Sequence, residues 1–188
     1  MSVLKKSYIP NILSVFRILL VPVFIYYFQV AEERGIAVAI FLLAGLTDVV
    51  DGFLARHYNW ISNVGKILDP FADKCMQIAA LLCLGQSRFI PWWVAVILIL
   101  KEFALLVGAF CALKTKKVYV QSGWYGKAGT VAFYIIATLL VVVKNMSDVL
   151  RLILGVLLIL FMLFALIMYT ANFKKNIASS NRKAEKVK

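Results

Sequence analysis

Long apolar runs decide what this chain can become. Six stretches, at about residues 9–30, 35–56, 68–87, 91–113, 127–145 and 148–171, each approach the roughly 20 apolar residues that a helix needs to cross a bilayer. Together they use most of the chain, so no separate soluble domain fits between them. Only 16% of the residues are charged, against about 25% in soluble domains, and mean hydropathy is +0.88. The expectation is an all-α integral membrane protein with six transmembrane helices. The runs are far longer than a barrel strand and do not alternate, which excludes a transmembrane barrel.

The net charge of +12 is read from its placement. The loops after runs one, three and five hold Arg34, Arg88, Lys144 and Arg151, diluted by Glu32, Glu33 and Asp148. Lys5, Lys6, Arg56, Lys66, Lys114, Lys116, Lys117, Lys127 and the lysines of the C-terminal tail fall on the other side. By the positive-inside rule both termini are cytoplasmic, in a multi-pass protein of the cell membrane. The basic surplus is a topology signal and an attraction to lipid headgroups, not a nucleic-acid surface. Cys75, Cys83 and Cys111 all fall within runs, with no metal-ligand spacing, and read as packing residues. The first run follows two lysines, lacks a small-residue cleavage site and is expected to stay as a span. Residues 1–173 read as one six-span domain, and 174–188 as a basic, unstructured tail.

Against this apolar background the carboxylates stand out. The chain has nine acidic residues, and Asp48, Asp51, Asp69 and Asp73 lie within a single stretch that bridges runs two and three. Asp48 and Asp51 are three apart, Asp69 and Asp73 four apart, so each pair shares a helical face. The short link between the runs brings the two helices side by side and antiparallel. A carboxylate at membrane depth is costly without a partner, and four together repel unless cations lie between them. Hard oxygen ligands at this density suit Mg²⁺ or Mn²⁺, with room for two ions. Gly52 and Ala55 leave space against the helix, Gly65 permits close approach from the link, and Arg56 can meet a phosphate. Carboxylates, small residues and an arginine together describe a pyrophosphate site open to the cytoplasm, fit for metal-assisted transfer of a phosphoryl-type group. The bland alternative is a set of buried ion pairs or an ion pathway.

Written out, these positions are Asp48-x2-Asp51-Gly52-x2-Ala55-Arg56-x8-Gly65-x3-Asp69-x3-Asp73. They resemble the signature of the CDP-alcohol phosphotransferase family at every fixed position. The resemblance implies six spans, a homodimer, a two-metal site and transfer of a substituted phosphate from a CDP-linked donor, commonly CDP-diacylglycerol, to an alcohol with release of CMP. It implies that Asp48, Asp51, Asp69 and Asp73 hold the metals and that Asp73 is also the general base. It implies that Asp48, Asp51, Gly52, Ala55, Arg56, Gly65 and Asp69 line the CDP site.

Within that family, Ile9-Pro10-Asn11-Ile12-Leu13-Ser14-x2-Arg17, Ala44-Gly45-Leu46-Thr47 and Ser122-x3-Gly126-Lys127-x2-Thr130 look like the phosphatidylglycerophosphate synthase and cardiolipin synthase branch. Acceptors of both reactions carry a phosphate, and Arg17, Lys101, Lys127 and Thr130 are the candidates to hold it. Lys101-Glu102 stands where phosphatidylglycerophosphate synthases usually carry Arg-Glu, and Lys is a point charge where Arg is a planar fork. Lys101 and Glu102 also read as a charge-neutralising pair, Arg17 as a snorkelling residue, and His57 as a surface residue. The reading is transfer from CDP-diacylglycerol to glycerol-3-phosphate, with phosphatidylglycerol as the second acceptor. An ion or proton transporter is the rival from another class, and a silent scaffold the third. The apolar stretch from Ile36 to Leu46 and the apolar residues after Gln77 speak for a cavity closed on the outside.

Overall fold

The computed structural model describes residues 8–58, 65–114, 124–143 and 146–185. Side chains at 8–10, 54–57, 66–67, 109–114, 124–127 and 169–185 lie outside that description, as do most of the two expected cytoplasmic loops. Regular structure among the described residues is entirely helical: α1 Tyr8–Ile25, continued by a π-helical turn Tyr26–Val30, α2 Arg34–His57, α3 Gly65–Gln86, α4 Trp92–Lys114, α5 Trp124–Val142 and α6 Asp148–Glu185.

Each helix coincides with one apolar run, with shifts at the ends. The Asp69-Pro70 pair reads as a helix start, yet α3 begins a turn earlier, at Gly65, and Pro70 lies inside it. So close to the N-terminus, proline costs only the bond that its N–H would have made one turn back. α6 runs on through residues 174–185, where composition suggests an unstructured tail. Extending an existing helix through Ala, Lys, Arg and Glu is far easier than starting one.

Among the described residues, three segments are long and apolar enough to cross a membrane alone: Asn11–Val30, Arg34–Phe53 and Asp148–Met168. α5 contributes a shorter apolar stretch, Ala128–Val142. α3 and α4 have membrane-spanning length, at 22 and 23 residues, but they carry Asp69, Asp73, Lys74, Lys101 and Glu102. The chain is a membrane protein with several candidate spans. Leu19, Leu46, Val49, Leu100 and Ile167 are exposed in the isolated chain, as expected of side chains that face lipid.

Helical periodicity builds the core. On α1 the buried stripe is Ser14, Arg17 and Phe24, continued by Phe28 in the π-helical turn; on α2 it is Ala37, Phe41, Ala44 and Asp51, with Asp48 half-buried in register. On α3 it holds Gly65, Ala72, Met76, Ala80 and Leu84, with Asp69 and Asp73 half-buried beside it. Each stripe is apolar at one end and polar at the other, so folding the apolar ends together also gathers the polar ends. The two acidic helices touch each other only lightly. Both pack chiefly on α1, which is wedged between them. The side-by-side pairing of α2 with α3 expected from their short link is thus replaced by a shared contact with α1, and the reason lies in what α1 carries.

Small residues set the spacing elsewhere. A Cβ on Gly45 would stand 2.7 Å from Tyr134 Cε1, and Tyr134 stacks on Phe41 with ring centroids 4.4 Å apart. That contact docks α5 onto α2 close to the polar end. Gly45→Ala is expected to lower stability by about 1–3 kcal/mol through overpacking, read as a lower unfolding temperature of the detergent-purified protein; an unchanged temperature would mean that the α2–α5 contact yields freely.

Candidate functional site

α1 supplies the partners of the acidic motif. Ser14 and Arg17 lie three apart on one face, and both are fully buried, at 0% exposure. Arg17 Nη1 donates to Asp48 Oδ1 at 2.8 Å, and Nη2 donates to Asp51 Oδ2. The Ser14 hydroxyl donates to Asp69 Oδ1. A buried guanidinium needs carboxylates as much as they need it, and its planar fork reaches two at once. Three of the four aspartates are thereby tied to one helix. Arg17 takes one oxygen from each of Asp48 and Asp51, and each keeps a second oxygen that Arg17 does not touch. Asp48 also lies within electrostatic reach of Asp69 and Asp73.

The fourth aspartate is held from the other side. Gln77 Nε2 donates to both oxygens of Asp73, at 3.2 and 3.1 Å. Lys74 Nζ is 3.3 Å from Asp73 Oδ2 and donates to Gln77 Oε1 at 3.0 Å. It also lies 2.7 Å from Glu102 Oε2, a charge contact rather than an aligned hydrogen bond. Glu102 Oε1 accepts from Lys101 Nζ at 2.6 Å, and Lys101 rests against Met162 Sδ of α6 at 3.1 Å. The four charges alternate in sign along Lys101, Glu102, Lys74 and Asp73. Their sum is zero, which is what allows such a row at membrane depth.

The structure therefore brings Asp48, Asp51, Asp69 and Asp73 to one end of the bundle, each with a named partner. Gly52 is half-buried on α2, Gly65 is buried at the start of α3, and Thr130 is half-buried on α5. The side chains of Ala55, Arg56, His57 and Lys127 lie outside the described residues. Arg17 and Lys101, both candidates for an acceptor phosphate, are spent on internal carboxylates. Arg17 does not snorkel, because its fully buried guanidinium is drawn inward by Asp48 and Asp51. Among the described residues, no three acidic, histidine or cysteine side chains already close into a metal-ligand shell.

Ser14, Lys74 and Gln77 are missing from the sequence-based site. A lysine directly after Asp73, inside an apolar run, was the available signal, since an intramembrane charge implies a partner. Tyr134 is a further addition. Its hydroxyl is buried without a hydrogen-bond partner among the described atoms, and it lies within electrostatic reach of Asp73 and Asp48.

Residues 7–168 match the sequence profile described as CDP-alcohol phosphatidyltransferase. A Mycobacterium tuberculosis protein provisionally named as a cardiolipin synthase is 35% identical over 128 residues, 68% of this chain and 61% of that protein. A Haemophilus influenzae protein named CDP-diacylglycerol–glycerol-3-phosphate 3-phosphatidyltransferase is 33% identical over 132 residues, 68% of this chain and 71% of that one. A Streptomyces coelicolor protein named cardiolipin synthase (CMP-forming) is 35% identical over 127 residues, 65% of this chain and 59% of that one. The chain thus spans about three fifths of the length of the first and third of these.

Two substitutions test the ion-pair arrangement. Arg17→Met strands two carboxylates and is expected to cost about 3–5 kcal/mol, partly restored in Arg17→Met/Asp51→Asn; thermal unfolding in detergent reads both. Glu102→Gln strands two lysines and should destabilise more than Lys101→Met, which removes only the outer member of the row. The reverse order in the same measurement would show that Glu102 is not the centre of the network.

Proposed function

This chain belongs to the CDP-alcohol phosphatidyltransferase family, and from that premise we propose that it transfers a phosphatidyl group from CDP-diacylglycerol to glycerol-3-phosphate, releasing CMP. The observation that carries this reading is the gathering of Asp48, Asp51, Asp69 and Asp73 at one polar end of an otherwise apolar bundle, held there by Ser14, Arg17, Lys74 and Gln77. The name of the Haemophilus influenzae relative states this donor and acceptor.

In this reading the polar end faces the cytoplasm, where a nucleotide and a soluble acceptor arrive, and the acyl chains of the donor remain in the bilayer. Asp73 takes the proton of the acceptor hydroxyl as its oxygen bonds to the phosphorus that carries diacylglycerol. The bond from that phosphorus to the bridging pyrophosphate oxygen breaks, and CMP leaves. Gln77 and Lys74 fix both oxygens of Asp73, so the base is aimed before the acceptor enters. Gly52 and Gly65 leave room along α2 and at the start of α3 for the nucleotide, with Ala55 and Arg56 beside them in sequence. Lys127 and Thr130, at the start of α5, remain the candidates for the acceptor phosphate.

The donor set of four carboxylates fits Mg²⁺ or Mn²⁺, and the oxygens of Asp48 and Asp51 that Arg17 leaves untouched keep both residues eligible as ligands. Two bound ions would neutralise the pyrophosphate and ease the departure of CMP. The functional unit in this reading is a homodimer in the cell membrane with cytoplasmic termini. The apolar packing beyond the aspartates, with Phe24, Phe28, Phe41, Met76, Ala80 and Leu84, supports an enzyme cavity over a through-path for ions.

Phosphatidylglycerol as acceptor, giving cardiolipin, is the second reading. It is favoured by relatives of that name at similar identity and by Lys101 standing where phosphatidylglycerophosphate synthases usually carry arginine. The deciding experiment is CMP release by purified protein with CDP-diacylglycerol and Mg²⁺ or Mn²⁺, with the two acceptors in separate tubes. Release with glycerol-3-phosphate alone supports the first reading, release with phosphatidylglycerol alone the second, and release with neither overturns both. In the productive tube Asp73→Asn should lower turnover at least ~100-fold, and near-normal turnover would remove Asp73 from the role of base.

A further inference from the structure

The end of the bundle opposite the aspartates gathers three arginines among the carboxylates Glu32, Glu33 and Asp148. Arg34 opens α2, Arg88 ends the turn after α3, and Arg151 lies in the first turn of α6. Two of them converge on one buried ring: the Arg34 guanidinium carbon is 4.8 Å from the centroid of Phe89, and that of Arg151 is 5.6 Å from it. Beside this ring opens a cavity of about 720 Å³, with Arg88, Arg151, Asp148, Gln86, Trp92 and Leu152 among its walls.

Two guanidiniums, those of Arg88 and Arg151, share the cavity with a single carboxylate, Asp148. Arg151 Nη1 is 3.6 Å from Asp148 Oδ1, and the Asp148 side chain is 99% exposed to solvent. Neither Arg34 nor Arg88 has a carboxylate within 4 Å among the described residues. Arg88 also sits at φ +57, a left-handed conformation that glycine would adopt at less cost. That conformation closes α3: the Phe89 N–H bonds to Leu84 O at 2.9 Å and the Arg88 N–H to Gly85 O at 3.2 Å, which puts Arg88 at the left-handed position just past a helix end and turns its side chain out of the helix. With Arg88 unanswered by a carboxylate and Arg151 held only loosely by the solvent-exposed Asp148, the cavity favours an anion.

Position identifies the anion. Seventeen residues separate Arg34 from Asp51 along α2, about 25 Å at 1.5 Å per residue, close to the ~30 Å depth of a hydrocarbon core. The cavity therefore lies at headgroup level on the face away from the aspartates. Its walls are mixed: arginines and Gln86 can take phosphate oxygens, and Trp92 and Leu152 can lie along the start of an acyl chain.

We propose that this arginine-walled cavity binds the phosphate of an anionic phospholipid headgroup from the leaflet opposite the catalytic end. The chemistry recognised is a phosphate, which a lipid or a free ion could supply, and the lipid is favoured because the cavity joins arginines to an apolar wall at the membrane surface. The site is independent of the reaction proposed above and does not require it.

The test is native mass spectrometry of the full chain in detergent, titrated with phosphatidylserine, with phosphatidylcholine, and with phosphatidylserine in the presence of millimolar inorganic phosphate. The wild type should hold one phosphatidylserine at least tenfold more tightly than phosphatidylcholine. Arg88→Gln/Arg151→Gln should weaken that binding about thirty-fold, from roughly fivefold per arginine beside an anionic surface. CMP release by this variant should stay within twofold of wild type. Displacement of the lipid by inorganic phosphate would assign the site to the free ion and overturn the lipid as its source. Equal affinity for both lipids, or undiminished phosphatidylserine binding in the double variant, would overturn the proposal. Should the double variant not fold, Arg88→Gln alone, at an exposed position, tests the same cavity: a fivefold loss is expected, and unchanged binding would overturn the proposal.

Discussion

Charges carried into an apolar bundle must be paired there, and the pairing of Arg17 with Asp48 and Asp51 is the constraint on which the acidic end depends. Each unpaired charge at the centre of a membrane helix costs about 2.5–3.5 kcal/mol on insertion scales. Arg17 is fully buried and its two terminal nitrogens each reach a different carboxylate. It follows that α1 cannot rotate or slide against α2 without breaking both bonds. Ser14, one turn away, ties the same helix to Asp69 of α3. One polar face of α1 therefore sets the relative position of the two helices that carry the acidic motif.

The second network does for Asp73 what Arg17 does for Asp48 and Asp51, by a longer route. Lys74 uses its contacts on Asp73, Gln77 and Glu102, and Glu102 in turn holds Lys101. The row extends across α3 and α4 and reaches α6 at Met162. In the reaction proposed above, Asp73 gains from having both oxygens oriented beforehand. The cost is that four buried charges stand or fall together, because removing one leaves a neighbour uncompensated.

Beneath both networks lies an apolar core of ordinary membrane packing. Phe24, Phe28 and Phe41 form a run of tilted ring contacts 5.5 and 5.8 Å apart, and Tyr134 stacks on Phe41 where Gly45 allows it. Because each of α1, α2 and α3 carries a single stripe that changes from apolar to polar along its length, packing and site assembly are one event. The far end of the same helices is polar as well, with Arg34 and Arg88 there beside Glu32 and Glu33.

Much of this was legible in the chain itself. Six long apolar runs point to six helices, since lipid offers no partner to an unpaired backbone group. The three- and four-residue spacings of the aspartates place each pair on one helical face, because the α-helix repeats every 3.6 residues. The length and regularity of the motif make its family resemblance hard to mistake. Local spacing cannot say which distant residue answers a given charge. That Arg17 would turn inward rather than reach for the membrane surface, that Lys101 would be taken by Glu102, and that Ser14, Lys74 and Tyr134 would join the site were all decided in three dimensions. These outcomes depend on α1 lying between α2 and α3, on α4 packing against α3 and, for Tyr134, on α5 packing against α2. Charge partnership between residues tens of positions apart is a property of helix packing, and only the tertiary structure determines it.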